Sequence, residues 1–153
     1  MRTRKAQSSL ELLVTLSFGL IILLPIVVLA FIQVSSSTST LASAETQGTA
    51  TKLADTAAAI GSQGFPAKQL VLMQVPPGVQ QIYVGNQING VGHAIIFIVS
   101  TNAGQSYITA YTPVNVSGNL SQDTQPGTYL VNVSAQNSCP SNSAVPCVYI
   151  RPT

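Results

Sequence analysis

Between Glu11 and Glu45 the chain carries no Asp, Glu, Lys or Arg, and within that gap residues 12–34 are dominated by Leu, Ile, Val and Phe. A bilayer core of about 30 Å needs roughly 20 apolar helical residues, so this stretch is long enough to span one. It is too long for the apolar core of a cleaved secretory signal, which runs to about 7–15 residues. Only 7% of the 153 residues are charged, against about 25% in an ordinary soluble domain. Part of the chain therefore belongs outside water, and the rest must be solvated by Ser, Thr, Asn and Gln.

Charge placement orients the span. Arg2, Arg4 and Lys5 precede it, which puts the N-terminus in the cytoplasm and the C-terminal part outside. Beyond them stand Lys52, Lys68 and Arg151 against Glu11, Glu45, Asp55 and Asp123, one acid in excess. The net charge of +2 is thus a property of the first few residues. No basic stripe interleaved with aromatic residues exists, so a nucleic-acid partner is not expected.

Pro25 lies inside the apolar stretch, where it either kinks the helix or is tolerated as prolines in membrane helices are. Helical character is expected past the span, since Leu41, Leu53, Ala57 and Ile60 fit one face. Gly61, Gly64 and Pro66 end it. Residues 35–40, all Ser and Thr, and Gly48 are the weak points. An unbroken helix over residues 8–60 would be about 80 Å long; the alternative is a break at 35–40.

After Pro66 the period changes to two. Strands are predicted at 69–75, 79–85, 93–100, 106–112, 114–120, 129–134 and 148–150. The apolar run 93–100 reads as a central strand buried on both faces. Tyr107, Thr109 and Tyr111 share a face; Tyr129, Val131 and Val133 point inward and Leu130, Asn132 and Ser134 outward. Short strands with frequent turns predict an α+β chain: a long N-terminal hydrophobic α-helix followed by a small antiparallel β-sandwich (Ig-like) head domain. The divisions are a leader at 1–6, a helix at 7–62 and a head at 63–153.

Cys139 and Cys147 are the only cysteines, bracketed by Pro140 and Pro146. Outside the cytoplasm such a pair reads as a disulfide, with free thiols as the alternative. Asn115-Val-Ser117, Asn119-Leu-Ser121 and Asn132-Val-Ser134 are N-glycosylation sequons, and glycans on Asn115, Asn119 or Asn132 would supply solvation that charges do not. His93 is the sole histidine and reads as a hydrogen-bonded structural residue. With no metal-ligand cluster, nucleophile elbow, paired carboxylates or phosphate loop, no cofactor and no enzyme activity are expected.

Taken alone, Glu11 reads as a solvated acid in the first turns of a helix, favoured by its dipole. Its neighbours add to that. The run Arg4-Lys5-Ala6-Gln7-Ser8-Ser9-Leu10-Glu11-Leu12-Leu13 resembles the class III signal peptide of archaeal type IV pilins: a short basic leader, a small residue, then Gln-x-Ser-x-Glu opening a hydrophobic helix. Gln7, Ser9 and Glu11 match those positions, and Ala6 stands where members often carry Gly. The resemblance covers about the first 35 residues. It implies cleavage by a prepilin peptidase between Ala6 and Gln7, with the helix kept on the mature chain. It implies that Glu11 then pairs with the N-terminal amine of a neighbouring subunit. The implied partners are identical or related pilin subunits, an assembly platform with its ATPase, and the membrane before assembly. The implied product is a cell-surface filament serving adhesion. The alternatives are a minor pilin that primes or caps assembly, and a membrane-tethered surface binding protein that does not polymerise.

Overall fold

The computed structural model describes residues 3–86, 90–102, 104–142 and 144–153, with the backbone alone for 3–8. The element order is one helix, α1 (Thr3–Gln63), then β1 (Lys68–Val75), β2 (Val79–Val84), β3 (Gly92–Thr101), β4 (Gly104–Gly118), β5 (Gly127–Gln136) and β6 (Cys147–Pro152). The chain divides into two compact units, Met1–Thr38 and Ser39–Thr153.

Helix α1 continues through Pro25 and through the Ser/Thr run. Hydroxyls that would compete with helical hydrogen bonding instead bond back within the helix. Ser37 Oγ donates to Gln33 O (2.9 Å), Thr38 Oγ1 to Ser35 O (2.9 Å) and Ser43 Oγ to Ser39 O (3.0 Å). The helix ends where glycine permits. Gly64 adopts φ +72° and its N–H donates to Ile60 O at 3.1 Å, a left-handed cap.

In the second unit six strands form a single sheet in the order β1-β5-β6-β4-β3-β2. Neighbours pair antiparallel except β4 and β6, which run parallel from Val116↔Val148 to Gly118↔Ile150. The α+β class therefore stands, but the two facing sheets of an Ig-like sandwich are replaced by one sheet. That sheet is curled. Its two edge strands, β1 and β2, are joined by residues 76–78 alone. Five flat spacings of about 4.8 Å would put them roughly 24 Å apart, whereas four Cα steps reach about 15 Å at most. The Pro76-Pro77-Gly78 connection can close only if the edges curl toward each other. Ser100 N–H holds it by donating to Gly78 O at 2.7 Å.

One continuous core lies on the inner face. Ala50, Leu53, Ala54, Ala57 and Ile60 of α1 join inward side chains of every strand, among them Met73, Phe97, Val131 and Ile150. The helical spacing of the first set and the two-residue spacing of the strands are what the core requires. The helix also shields the β1 edge. Thr49 Oγ1 donates to Gln74 O (2.9 Å) and Lys52 Nζ to Leu72 O (3.1 Å), occupying carbonyls that an edge strand leaves open.

Three strand expectations are corrected. Segments 106–112 and 114–120 are not two strands: β4 runs through both as far as Gly118, with Pro113 in an irregular stretch where the pairing jumps from Gly92↔Val116 to Ala94↔Tyr111, and residues 119–120 lie past its end. A bulge is where a sheet tolerates proline. Seven expected strands therefore become six. The apolar strand β3 is second from an edge and not central. Its outward Ile98 is nonetheless buried, with Gln81 and Tyr107 as its register partners.

The parallel pairing depends on Gly118, where an added Cβ would sit 2.1 Å from Ile150 O. Gly118→Ala is expected to force β4 and β6 apart and to cost about 1–3 kcal/mol, read as a lower urea midpoint for the full chain in detergent. An unchanged midpoint would show that the two strands are free to separate without loss.

Candidate functional site

The described residues of the first unit are helical. Every large apolar side chain from Leu10 to Val34 is exposed, for example Leu12 at 66% and Phe31 at 75%. From Ser9 onward α1 is long and apolar enough to cross a membrane. A helix apolar all round has no stable place in water, since each Å² of such surface costs about 25 cal/mol to hydrate. Two hydroxyls within the apolar stretch bond back to the helix backbone. Thr15 Oγ1 donates to Glu11 O (2.6 Å) and Ser17 Oγ to Leu13 O (2.8 Å).

The motif residues open this helix. Ala6 and Gln7 lie in its first turns. Positions 7 and 11 are four apart and share a face, whereas Ser9, two residues from each, points elsewhere. Ser9 and Glu11 are exposed. The helix thus brings Gln7 and Glu11 together as positions and leaves Ser9 apart from them.

Cys139 and Cys147 form the expected disulfide, with Cα atoms 5.4 Å apart and both residues buried. Closing so short a loop contributes about 2–3 kcal/mol through the unfolded chain. The bridge ties the exit of β5 to the start of β6. Ser141 of its loop hydrogen-bonds Ser117 of β4 through their hydroxyls at 2.8 Å.

The three sequons occupy different surroundings. Asn119 follows β4, is exposed, and its Oδ1 accepts from Ser121 N–H (3.3 Å) and Ser121 Oγ (2.7 Å). Asn115 sits in the β4 irregularity with Nδ2 donating to Pro146 O at 3.4 Å. It lines a cleft of about 310 Å³ with His93, Val114 and Cys147. Asn132 points outward from β5 but is half-buried, with Oδ1 sealed from solvent and unpartnered. His93 is exposed, its Nδ1 3.1 Å from Val114 O. A carbonyl only accepts, so that nitrogen carries the proton. Among the described residues no group of three or more His, Cys, Asp or Glu could hold a metal ion.

Sequence reading missed two features. One is an apolar cluster on the outer face of the sheet: Leu70 and Leu72 of β1 and Leu130 of β5 are 55%, 58% and 42% exposed, with Leu72 and Leu130 register partners. The signal was present, because β1 places Leu on one face and Val and Met on the other. The other is Asp123, a buried carboxylate whose Oδ2 has no partner. Burial pushes its pKa above the ordinary value.

Two outcomes are expected. Where the chain carries an N-glycan, glycopeptide mass spectrometry should place it on Asn119 ahead of Asn115 and Asn132, whose amides are engaged or half-buried; occupancy confined to Asn132 would contradict this. A raised carboxyl pKa means that the folded state holds the proton more tightly than the unfolded one. Its stabilising effect is complete below the ordinary value of 3.8 and is lost as pH rises through the raised value. Asp123→Asn should therefore lessen the fall in melting temperature between about pH 4 and neutrality. Superimposable melting curves for variant and parent across that range would show that the carboxylate is effectively solvated.

No protein-family model, curated protein or solved structure matches this chain.

Proposed function

We propose that the chain is a pilin-like structural subunit, held in the membrane by α1 as a precursor. A prepilin peptidase cuts it between Ala6 and Gln7, and it then polymerises through the same helix into a surface filament. One observation carries the reading. The Gln7-x-Ser9-x-Glu11 motif opens directly into a helix whose large apolar side chains stand exposed from Leu10 to Val34. Such a surface requires a bilayer or a jacket of like helices, and a subunit that moves from one to the other needs no change in its own fold. Lipid covers it first; neighbouring α1 helices cover it afterwards.

Glu11 has a defined part in this scheme. At the edge of the apolar stretch its charge is tolerable while the membrane interface is near. Inside a filament it is not, unless it meets the amine freed at Gln7 of a neighbour. The pairing sets the axial position of each incoming subunit. The second unit is then displayed outside the cell, where its polar, charge-poor surface and its disulfide suit an oxidising exterior. Adhesion is the role proposed for the displayed unit. The assembly platform and its ATPase, the peptidase and further copies of the subunit are its partners.

The test joins mass spectrometry to electron microscopy. Surface material should contain thin filaments built of subunits that begin at Gln7. Glu11→Ala should be processed normally yet yield few or no filaments. Filaments of normal number from that variant would remove the assigned role of Glu11. A detergent-soluble monomer with its N-terminus uncut would favour the non-polymerising tether.

A further inference from the structure

We infer that the groove between α1 and the outer face of β1 and β5 binds a second copy of this chain, with the helix wall of one copy against the sheet wall of the other. The inference concerns the second unit alone, and it stands whether the subunit polymerises or remains a tether.

The sheet wall is apolar with a basic border. Leu70, Leu72 and Leu130 form a contiguous exposed cluster on neighbouring strands. Lys68 lies two residues before Leu70 on the same face of β1. Arg151 of β6 is the register partner of Asn132, which in turn is the partner of Leu70. Single exposed leucines mean little, but a cluster ringed by cations on a charge-poor domain is a patch.

The helix wall carries the opposite sign. Leu41, Glu45, Gly48, Lys52 and Asp55 recur at helical spacing on a single face, all exposed, with Leu41 at 62%. Its charged residues are Glu45, Asp55 and Lys52, two acids against one base, and the ammonium of Lys52 is drawn aside to Leu72 O. Gly48 has no atom within 4 Å of where a Cβ would lie. Glycine weakens a helix relative to alanine, and nothing inside the unit explains it. Close approach from outside does. Glu45, Gly48 and Lys52 line a cavity of about 340 Å³ with Leu72 and Thr128, so the two walls border one groove.

Acidic and basic walls with leucines on both are complementary between copies. A chain with a membrane-spanning helix also confines its copies to two dimensions, which raises their effective concentration. A glycan on Asn132 would stand on the sheet wall, so this docking goes with an unmodified Asn132.

The test uses the full chain in native membranes, with a photo-crosslinking phenylalanine analogue in place of Leu70. The expected product is an adduct of twice the subunit mass whose joined peptide maps to residues 41–55 of the other copy. Crosslinks within one chain leave the mass unchanged and do not count. Lys68→Glu with Arg151→Glu should cut the adduct about tenfold, as should Glu45→Lys with Asp55→Lys. All four changes together should restore it, and that restoration also shows that the substituted chains fold. An adduct that maps elsewhere or onto another protein, one indifferent to the charge reversals, or one not restored by the fourfold variant would overturn the inference. Filaments that assemble normally while the adduct fails would separate this outcome from failure of the pilin reading.

Discussion

Burial of Ala50, Leu53, Ala54, Ala57 and Ile60 against the inner face of the curled sheet is the contact on which the second unit is organised. A single sheet has one apolar face to cover, and six short strands cannot cover it by themselves. The stripe on α1 supplies the missing layer. Small residues at positions 50, 54 and 57 let the helix come close, while Leu53 and Ile60 fill the space the curl leaves. Gly61 extends the approach, since a Cβ there would meet Val114 side-chain atoms at 2.7 Å. The same helix segment covers the β1 edge through Thr49 and Lys52. Core formation and edge protection are thus two effects of one placement.

Helix α1 carries two chemistries in succession. In residues 10–34 the apolar side chains surround the axis and none is covered. In residues 46–60 they occupy one side, with Ala, Thr, Asp and Lys opposite. The first pattern is suited to an apolar solvent or to like helices, the second to a sheet on one side and water or a neighbour on the other. Between them, Ser37 and Thr38 place their hydroxyls on backbone carbonyls one turn back. A hydroxyl bonded back in this way no longer competes with the helical ladder, and the helix runs on through poor helix formers.

Much of this was legible from the residues. Period two located every strand to within a few positions, and the uncharged gap located the part of α1 that is long and apolar enough to cross a membrane. Alternation on β5 is clean, and of its inward set Val131 and Val133 are fully buried while Tyr129 packs against the core at its margin. Alternation specifies faces, however, and not neighbours. Nothing in the β1 or β2 sequence says that strands joined by three residues sit at opposite edges of the sheet, so a curled sheet and a sandwich looked alike. Pro113 was read as a break because proline interrupts most strands, and only the pairing shows it to be a bulge. The candidate site divides the same way. Gln7, Ser9, Glu11, the cysteines and the sequons announce themselves by spacing. The unequal settings of Asn115, Asn119 and Asn132 depend on contacts with residues far along the chain, as does the burial of Asp123.

The pairing of β1 only with β5, from Lys68↔Ser134 to Val75↔Gly127, has a kinetic consequence. The first strand to leave the helix has no partner until the fifth has been made and delivered. Closing so long a loop is entropically slow compared with local hairpins such as β3–β4. In vectorial synthesis, β2, β3 and β4 can associate early. Until β5 arrives the helix stripe and β1 have only part of their final cover. The last segments of the chain, β5, the disulfide loop and β6, therefore act as the latch of the fold. A chain truncated or stalled before residue 127 would present its apolar interior to quality-control proteases.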